Sequence, residues 1–435
     1  MFTNAFSHRR PALTSSLVSS LTALLVAAAA APAAAQTAPA AAASAPAGPV
    51  LRPEVRKALV AAQDALKGKD AAAGKEALAR VAEAEAQPNL TPEEAYNTVR
   101  IKAVAAFTAG DMPLALSSFD TALASPLLPA ADRLPITEVA TKISLQLTDN
   151  ARSLRLLQAY RELGGSDAAL RRRLATLLVE QNDPAGALKE AQQLVQADEA
   201  AGRPPTEVML KVMAVSNNKL KDTAGYNAAL EKLTQYYGTL DYWAELIART
   251  TRKPGFAEDR LRLDAYRLQR AVGLTLEGDE QADMAQRALL AGLPGEAQKL
   301  MDEGYVAGLF GKGKDAAAHQ KLREQATKAA AADQKQLAEG EAAARSAKDG
   351  NALVSLGLAV AGTGATERGL GLVEQGIAKG GLRRADEAQL RLGMLQARLG
   401  RNDDALKTLA AVQGNDGTAD LARLWSIHLR SAGKK

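Results

Sequence analysis

Small, apolar and turn residues recur along this chain in one frame. A turn is followed about five positions later by a small residue, four further on by a bulky apolar one, and three beyond that by another small or apolar one. The clearest copies are AGDMPLALSSFDTAL (109–123), QNDPAGALKEAQQLV (181–195), GTGATERGLGLVEQGI (362–377) and LGRNDDALKTLAAV (399–412). Steps of three and four keep these positions on one face of a helix, so each copy predicts a helix that opens at a turn. With the small residue as marker, the copies fall at Gly74, Ala115, Ser153, Ala187, Tyr226, Asp259, Ala297, Gly369 and Ala405, mostly 33 to 41 residues apart. The gap of 72 between Ala297 and Gly369 leaves room for one more unit around the Ala-rich 315–348. A period in this range predicts helical hairpins that bury their apolar faces against neighbours.

The stretch LAGLPGEAQKLMDEGY (290–305) shows how such a unit tolerates Gly and Pro. Gly292 ends one helix, Pro294 opens the next in its first turn, Ala297 lies where two helices cross, and Gly304 takes the next close contact. A first hairpin begins after Pro53, and TADLARLWSIHLRS reads as a closing helix. In it Leu421, Leu424, Ile427 and Leu429 would cover the last repeat.

The pattern resembles the tetratricopeptide repeat. In the copy from Tyr96, the turn Gly110-Asp111 is followed by Ala115, Phe119, Ala122 and Pro126, matching the family's A-x3-F-x2-A and terminal Pro. Trp243 and Leu246 fit its W-x2-L, although Ile247 stands where glycine usually follows. Leu356-Gly357 and Leu392-Gly393 restore the Leu-Gly pair. The block from DYWAELIARTT to LMDEGY is also similar to exported tetratricopeptide proteins of Gram-negative bacteria. The resemblance implies an all-α, right-handed α-solenoid of about ten helix-turn-helix hairpins over residues 51–431, with a C-terminal capping helix. It further implies that the first helix of each hairpin lines a groove for a peptide or partner. Carried onto this sequence, the groove positions include Arg100, Phe107, Arg172, Arg173, Lys211, Asn218 and Lys219. Their charge suits an acidic peptide segment or a free C-terminal carboxylate.

Composition agrees with an all-helical chain: 47% of residues are hydrophobic but only 4% aromatic, the excess being Ala and Leu. It also places the ends. Arg9 and Arg10, the apolar run LVSSLTALLVAAAAA and the small residues at 33–35 form a secretory signal peptide over 1–35, with cleavage after Ala35. General secretion fits better than twin-arginine export, because Pro11 and Ala12 follow the arginine pair. Residues 36–50 are an Ala/Pro-rich linker. The chain has no cysteine, which excludes disulfides, thiolate metal sites and lipid attachment after the signal. Without the signal, 54 − 2 = 52 basic residues face 49 acidic ones, a net charge of +3. An exported, near-neutral chain of this kind is not built for nucleic acid.

Candidate chemistry is sparse. GLFGKGKD (308–315) nearly spells a phosphate loop, but Asp315 replaces the required Ser or Thr and no strand precedes it, so it reads as a turn. GTGATERG (362–369) likewise coincides with a repeat turn. His319 and His428 sit on different repeats, no G-x-S-x-G occurs, and the carboxylates are spaced as solvated helix faces. YYGTLDYW is read as packing between repeats. The expectation is a non-catalytic adaptor of the periplasm or cell envelope, without cofactor, metal or stable membrane insertion. A scaffold for polysaccharide export or outer-membrane assembly is the alternative, and a cell-wall hydrolase stands further off.

Overall fold

The computed structural model describes residues 51–432. The expected signal peptide and linker (1–50) lie outside the described residues. Among the described residues there are twenty α-helices, one short 3-10 turn (Leu66–Gly68) and no strand. None of these helices is long and apolar enough to cross a membrane. The chain divides into two compact units with the boundary after Lys221.

The first unit holds α1 (Pro53–Ala65), α2 (Ala71–Glu85), α3 (Pro92–Ala109), α4 (Met112–Ala124), α5 (Ala130–Gln146), α6 (Asn150–Glu162), α7 (Ala168–Glu180), α8 (Pro184–Ala200) and α9 (Glu207–Lys219). One turn device joins successive pairs. At the end of α3, Gly110 turns left-handed at φ +84°, and the Asp111 carboxylate then accepts from the Leu114 N–H to cap α4. Lys69-Asp70, Thr148-Asp149 and Asn182-Asp183 repeat it, with a left-handed first residue and an Asp cap on the next helix. A left-handed side chain costs roughly 1–2 kcal/mol, and an Asp cap returns about 1 kcal/mol. The turn is therefore close to neutral by itself, and the hairpins depend on what they bury.

What they bury follows the frame in the sequence. The markers Ala115, Ser153 and Ala187 have no exposed surface, and Gly74 faces the α3 backbone so closely that a Cβ would lie 2.2 Å from the Ala109 nitrogen. Around these contacts Ile101, Leu116, Phe119 and Ile143 fill a continuous core. Glu94 staples the unit's start. Its fully buried carboxylate accepts from the Arg52 guanidinium at 2.7 Å and from the Arg52 and Thr91 backbone N–H groups, while Thr91 caps α3 in return. The hydrogen bond from the Arg52 side chain, ahead of the backbone donors, lowers the Glu94 pKa to about 2.

The second unit holds α10 (Thr223–Tyr237), α11 (Leu240–Thr251), α12 (Glu258–Ala271), α13 (Gly278–Leu290), α14 (Pro294–Val306), α15 (Ala316–Ser346), α16 (Asn351–Gly362), α17 (Thr366–Lys379), α18 (Ala385–Arg398), α19 (Asn402–Ala410) and α20 (Thr418–Ala432). The stretch 290–305 folds as expected. Gly292 is left-handed at φ +71°, Pro294 opens α14, Ala297 is fully buried, and Gly304 lies under the Phe310 ring. The tightest approach joins α16 and α17, where Gly350 and Gly357 face Gly376 and Gly369. A Cβ on Gly369 would meet the Gly357 carbonyl oxygen at 2.5 Å.

Three expectations are corrected. The Ala-rich 315–348 forms one continuous helix, α15 of 31 residues, rather than a hairpin, because no Gly or Pro turn interrupts it strongly enough. The marker Asp259 is exposed in the first turn of α12, so it is not a crossing position. Helix α20 does more than cap the last repeat. It packs on α18 and α19 and also on α10, α11 and α12. Arg423 reaches Glu231 at 3.1 Å, the Ser431 hydroxyl donates to the Gln235 carbonyl at 3.0 Å, and Lys253 pairs with Asp420 at 2.9 Å. The second unit thus closes on itself, which neighbour-only stacking does not produce.

Gly369→Ala should destabilise the second unit. Overpacking against rigid backbone costs about 3 kcal/mol at the upper end, and helix propensity returns about 1, leaving a loss of about 2 kcal/mol in a urea titration. For Glu94 the folded pKa lies below the ordinary value of 4.5. Its contribution to the first unit is complete above pH 4.5 and is lost as pH falls toward 2. Glu94→Gln should therefore be less stable than the native chain at pH 7, and the two stabilities should converge as the pH is lowered through that window, followed by circular dichroism.

Candidate functional sites: a buried cation in the first unit and a cavity in the second

The groove positions implied by the sequence take different fates. Phe107 packs in the core of the first unit with 7% of its surface exposed. Arg173 is held by Glu180 at 3.0 Å and by Thr176, Lys211 pairs with Glu207 at 3.0 Å, and Lys219 donates to the Asn182 side chain at 3.1 Å. Asn218 is exposed. Arg172, half-buried on α7, has no hydrogen-bond or ion-pair partner among the described residues. Its neighbour Arg171 instead pairs with the fully buried Glu190.

Arg100 differs from all of these. It sits one turn beyond Tyr96 on α3, its guanidinium carbon 5.9 Å from the ring centroid, at the outer limit of a cation–π contact. Only 9% of its surface is exposed, and its guanidinium forms no ion pair among the described residues; its polar neighbour is the Tyr96 hydroxyl, whose pKa is raised by burial and drawn back in part by the Arg100 charge and hydrogen bond. A buried guanidinium costs several kcal/mol when nothing of opposite charge faces it.

The second unit carries a cavity of about 510 Å³. Apart from Met284 of α13, its wall is built from alternate helices, each giving residues at i, i+3 and i+4, the spacing of a single helical face. Helix α18 gives Arg391, Met394, Leu395 and Arg398; α20 gives Trp425, His428 and Leu429; α12 gives Arg267 and Arg270; α14 gives Glu296, Lys299 and Leu300. Helix α16 gives Leu358, Ala361 and Gly362, so the wall helix is the second of the pair α13/α14 but the first of α16/α17 and α18/α19. The phase changes at α15, where one helix stands in place of two.

The deep cations are spoken for. Asp264, fully buried, takes Arg267 at 2.6 Å and Arg391 at 3.1 Å, tying α12 to α18. Arg391 also reaches Glu387, which pairs with Arg260, and Arg260 reaches Asp416 ahead of α20. Glu296 holds the other side of Arg267. Burial pushes the Glu296 pKa up, but the Arg267 charge and hydrogen bond, with a further contribution from Arg398, outweigh it and keep the carboxyl below its ordinary range. The opening is different. Arg270, Lys299 and Arg398 are exposed; Arg270 pairs with Glu303, Lys299 approaches the same carboxylate only to 3.9 Å, and Arg398 touches a lone carbonyl, that of Ala361, at 3.5 Å.

His319 and His428 lie in different surroundings. His319 stacks on Phe310. His428 stands edge-on between Trp243 and Trp425, at 6.1 and 5.8 Å, and burial lowers its pKa, so it is neutral at neutral pH. The Trp425 indole N–H is buried without a partner.

The cavity lining was missed by sequence reasoning, since its pieces are spread from Arg267 to Leu429. One local signal existed: Arg391, Met394, Leu395 and Arg398 form a basic-apolar face on a single helix. The chain matches no known protein-family model, and no curated protein is significantly similar to it.

Asp264→Asn should leave two guanidinium groups inside the second unit without their shared charge and cost about 3 kcal/mol or more. Both tryptophans of the chain lie in this unit, so their emission during urea unfolding reports the loss. Arg323→Ala, which breaks the exposed pair with Asp302, should cost under about 1 kcal/mol in the same experiment.

Proposed function

We propose that this chain is a non-catalytic scaffold or adaptor of the bacterial periplasm or cell envelope. In this reading its helix pairs form a right-handed, tetratricopeptide-like α-solenoid, and the first unit receives an acidic segment of a peptide or partner protein. The observation that carries the reading is Arg100, a groove position implied by the repeat frame whose largely buried guanidinium meets the Tyr96 hydroxyl but forms no ion pair with a carboxylate of its own fold. A fold usually neutralises such a group with its own carboxylate, as this one does for Arg52, Arg267 and Arg391. An acceptor brought by a partner accounts for the exception, and Arg172 adds a second unpaired cation to the same unit. The polar groups involved are guanidinium ions, which hold charge and position rather than exchange protons at neutral pH. The signal-like first 35 residues support export.

Crosslinking in intact cells followed by mass spectrometry identifies the partner, and two variants test the contact. Arg100→Met should raise the stability of the first unit by about 1 kcal/mol, because a buried charge without an ion pair disappears, while lowering partner recovery about tenfold. Arg172→Glu should lower recovery without changing stability. A less stable Arg100→Met chain that captures its partner normally would show that the guanidinium serves only packing, and the proposal would fall.

A further inference from the structure

The cavity of the second unit belongs to a separate problem, because it lies wholly within that unit and shares no residue with Arg100 or Arg172. Its volume of about 510 Å³ falls within the range of small-ligand pockets. Its polarity is graded. In the interior Met284, Leu300, Met394, Leu395 and Trp425, all nearly fully buried, stand beside Arg267, Arg391 and Glu296, whose charges are paired within the protein. The exposed lining cations, Arg270, Lys299 and Arg398, stand at the opening, and a single carboxylate, Glu303, serves the first two. Arg398 forms no ion pair within 4 Å and acts on the Glu296 carboxylate only at longer range. The one acid in the lining, Glu296, is already engaged with Arg267.

We propose that this cavity binds a small organic anion with an apolar body, such as an aliphatic or aromatic carboxylate. The body lies among the methionine, leucine and tryptophan side chains, and the charged head rests on Arg398 and Lys299 at the opening. A neutral molecule of the same shape would leave the rim cations unused. A cation would be repelled by them. An inorganic anion alone would leave the apolar part of the interior unfilled, and the burial of an apolar body contributes most of the free energy available there.

The chain reports on its own cavity, since Trp425 lines it and Trp243 stands edge-on to the lining His428 at 6.1 Å. Purified full-length protein is titrated with decanoate, decanol and decylamine below their self-association concentrations, following tryptophan emission and heat. Decanoate should bind saturably, at least about tenfold tighter than decanol, with decylamine weaker still. Lys299→Gln combined with Arg398→Gln, both exposed positions, should remove that preference for decanoate over decanol. Met394→Trp should fill the cavity and abolish binding of both. Lys407→Gln, remote from the cavity, should bind as the native chain does. A short peptide ending in two leucines, with a free or an amidated C-terminus, separates the sources of the anion. If the free peptide binds tighter than decanoate, the ligand is a protein tail; if decanoate binds tighter, it is a small molecule. Absence of saturable binding by any of these acids, or equal affinity for decanoate and decylamine, overturns the proposal. Failure here leaves the reading of Arg100 standing, because the two are measured on different units with different variants.

Discussion

Close approach of helix backbones at small residues is the constraint on which both units depend. Where a Cβ on Gly74 would meet the Ala109 nitrogen, or one on Gly369 the Gly357 carbonyl, no side chain larger than hydrogen fits without parting the helices. Contact at that distance allows the bulky positions before and after it to interlock, as Leu116 and Phe119 do behind Ala115. The turns contribute little net stability, since a left-handed residue and an Asp cap nearly cancel. Small residues at the crossings thus decide the spacing of each pair, and the apolar residues flanking them supply the energy.

The two units use this constraint differently. In the first, left-handed Lys69, Thr148 and Asn182 are each followed by a capping Asp. In the second, Gly292, Gly364 and Gly400 take the left-handed place, and the following residues, Leu293, Ala365 and Arg401, form no side-chain cap. Glycine removes the strain at its source in these turns, which go without a cap, whereas the equally left-handed Gly110 of the first unit is still followed by the capping Asp111. Closure of the second unit has another origin. The Arg260, Asp264, Glu387, Arg391 and Asp416 network joins α12 to α18 and to the residues that precede α20. Buried pairs of this kind add little net stability but penalise any arrangement that separates them. They therefore specify which helix faces which.

The sequence made local features legible and left long-range ones hidden, for a physical reason. Gly292, Pro294, Ala297 and Gly304 each carry out a role set within one turn of the chain, and the frame of spacings exposes such roles directly. Asp264 and Arg391 are 127 residues apart and share no period, so nothing in their local surroundings announces that they meet. Phe107 shows the opposite limit: its place in the repeat is right for a groove, yet a large apolar side chain gains more from the core and turns there. The long α15 was misjudged because an alanine-rich stretch satisfies a weak hairpin frame and a continuous helix equally well, and propensity then favours the helix.

A ring of helices has consequences that an open stack does not. In an open stack the wall helices diverge from a groove, and the contacts available to a ligand are those of an extended surface. Closing α20 onto α10, α11 and α12 brings helical faces around one interior instead, and side chains at i, i+3 and i+4 on each face converge. Convergence explains the pairing pattern: cations placed on several helices crowd together, and those deep in the wall must be neutralised by Asp264, Glu296 and Glu387, whereas those at the opening can leave part of their charge to solvent or to a ligand. The exposed Arg398 at the opening and the internally neutralised interior are then two results of one geometry, with charge left outside an ion pair only where water can reach it.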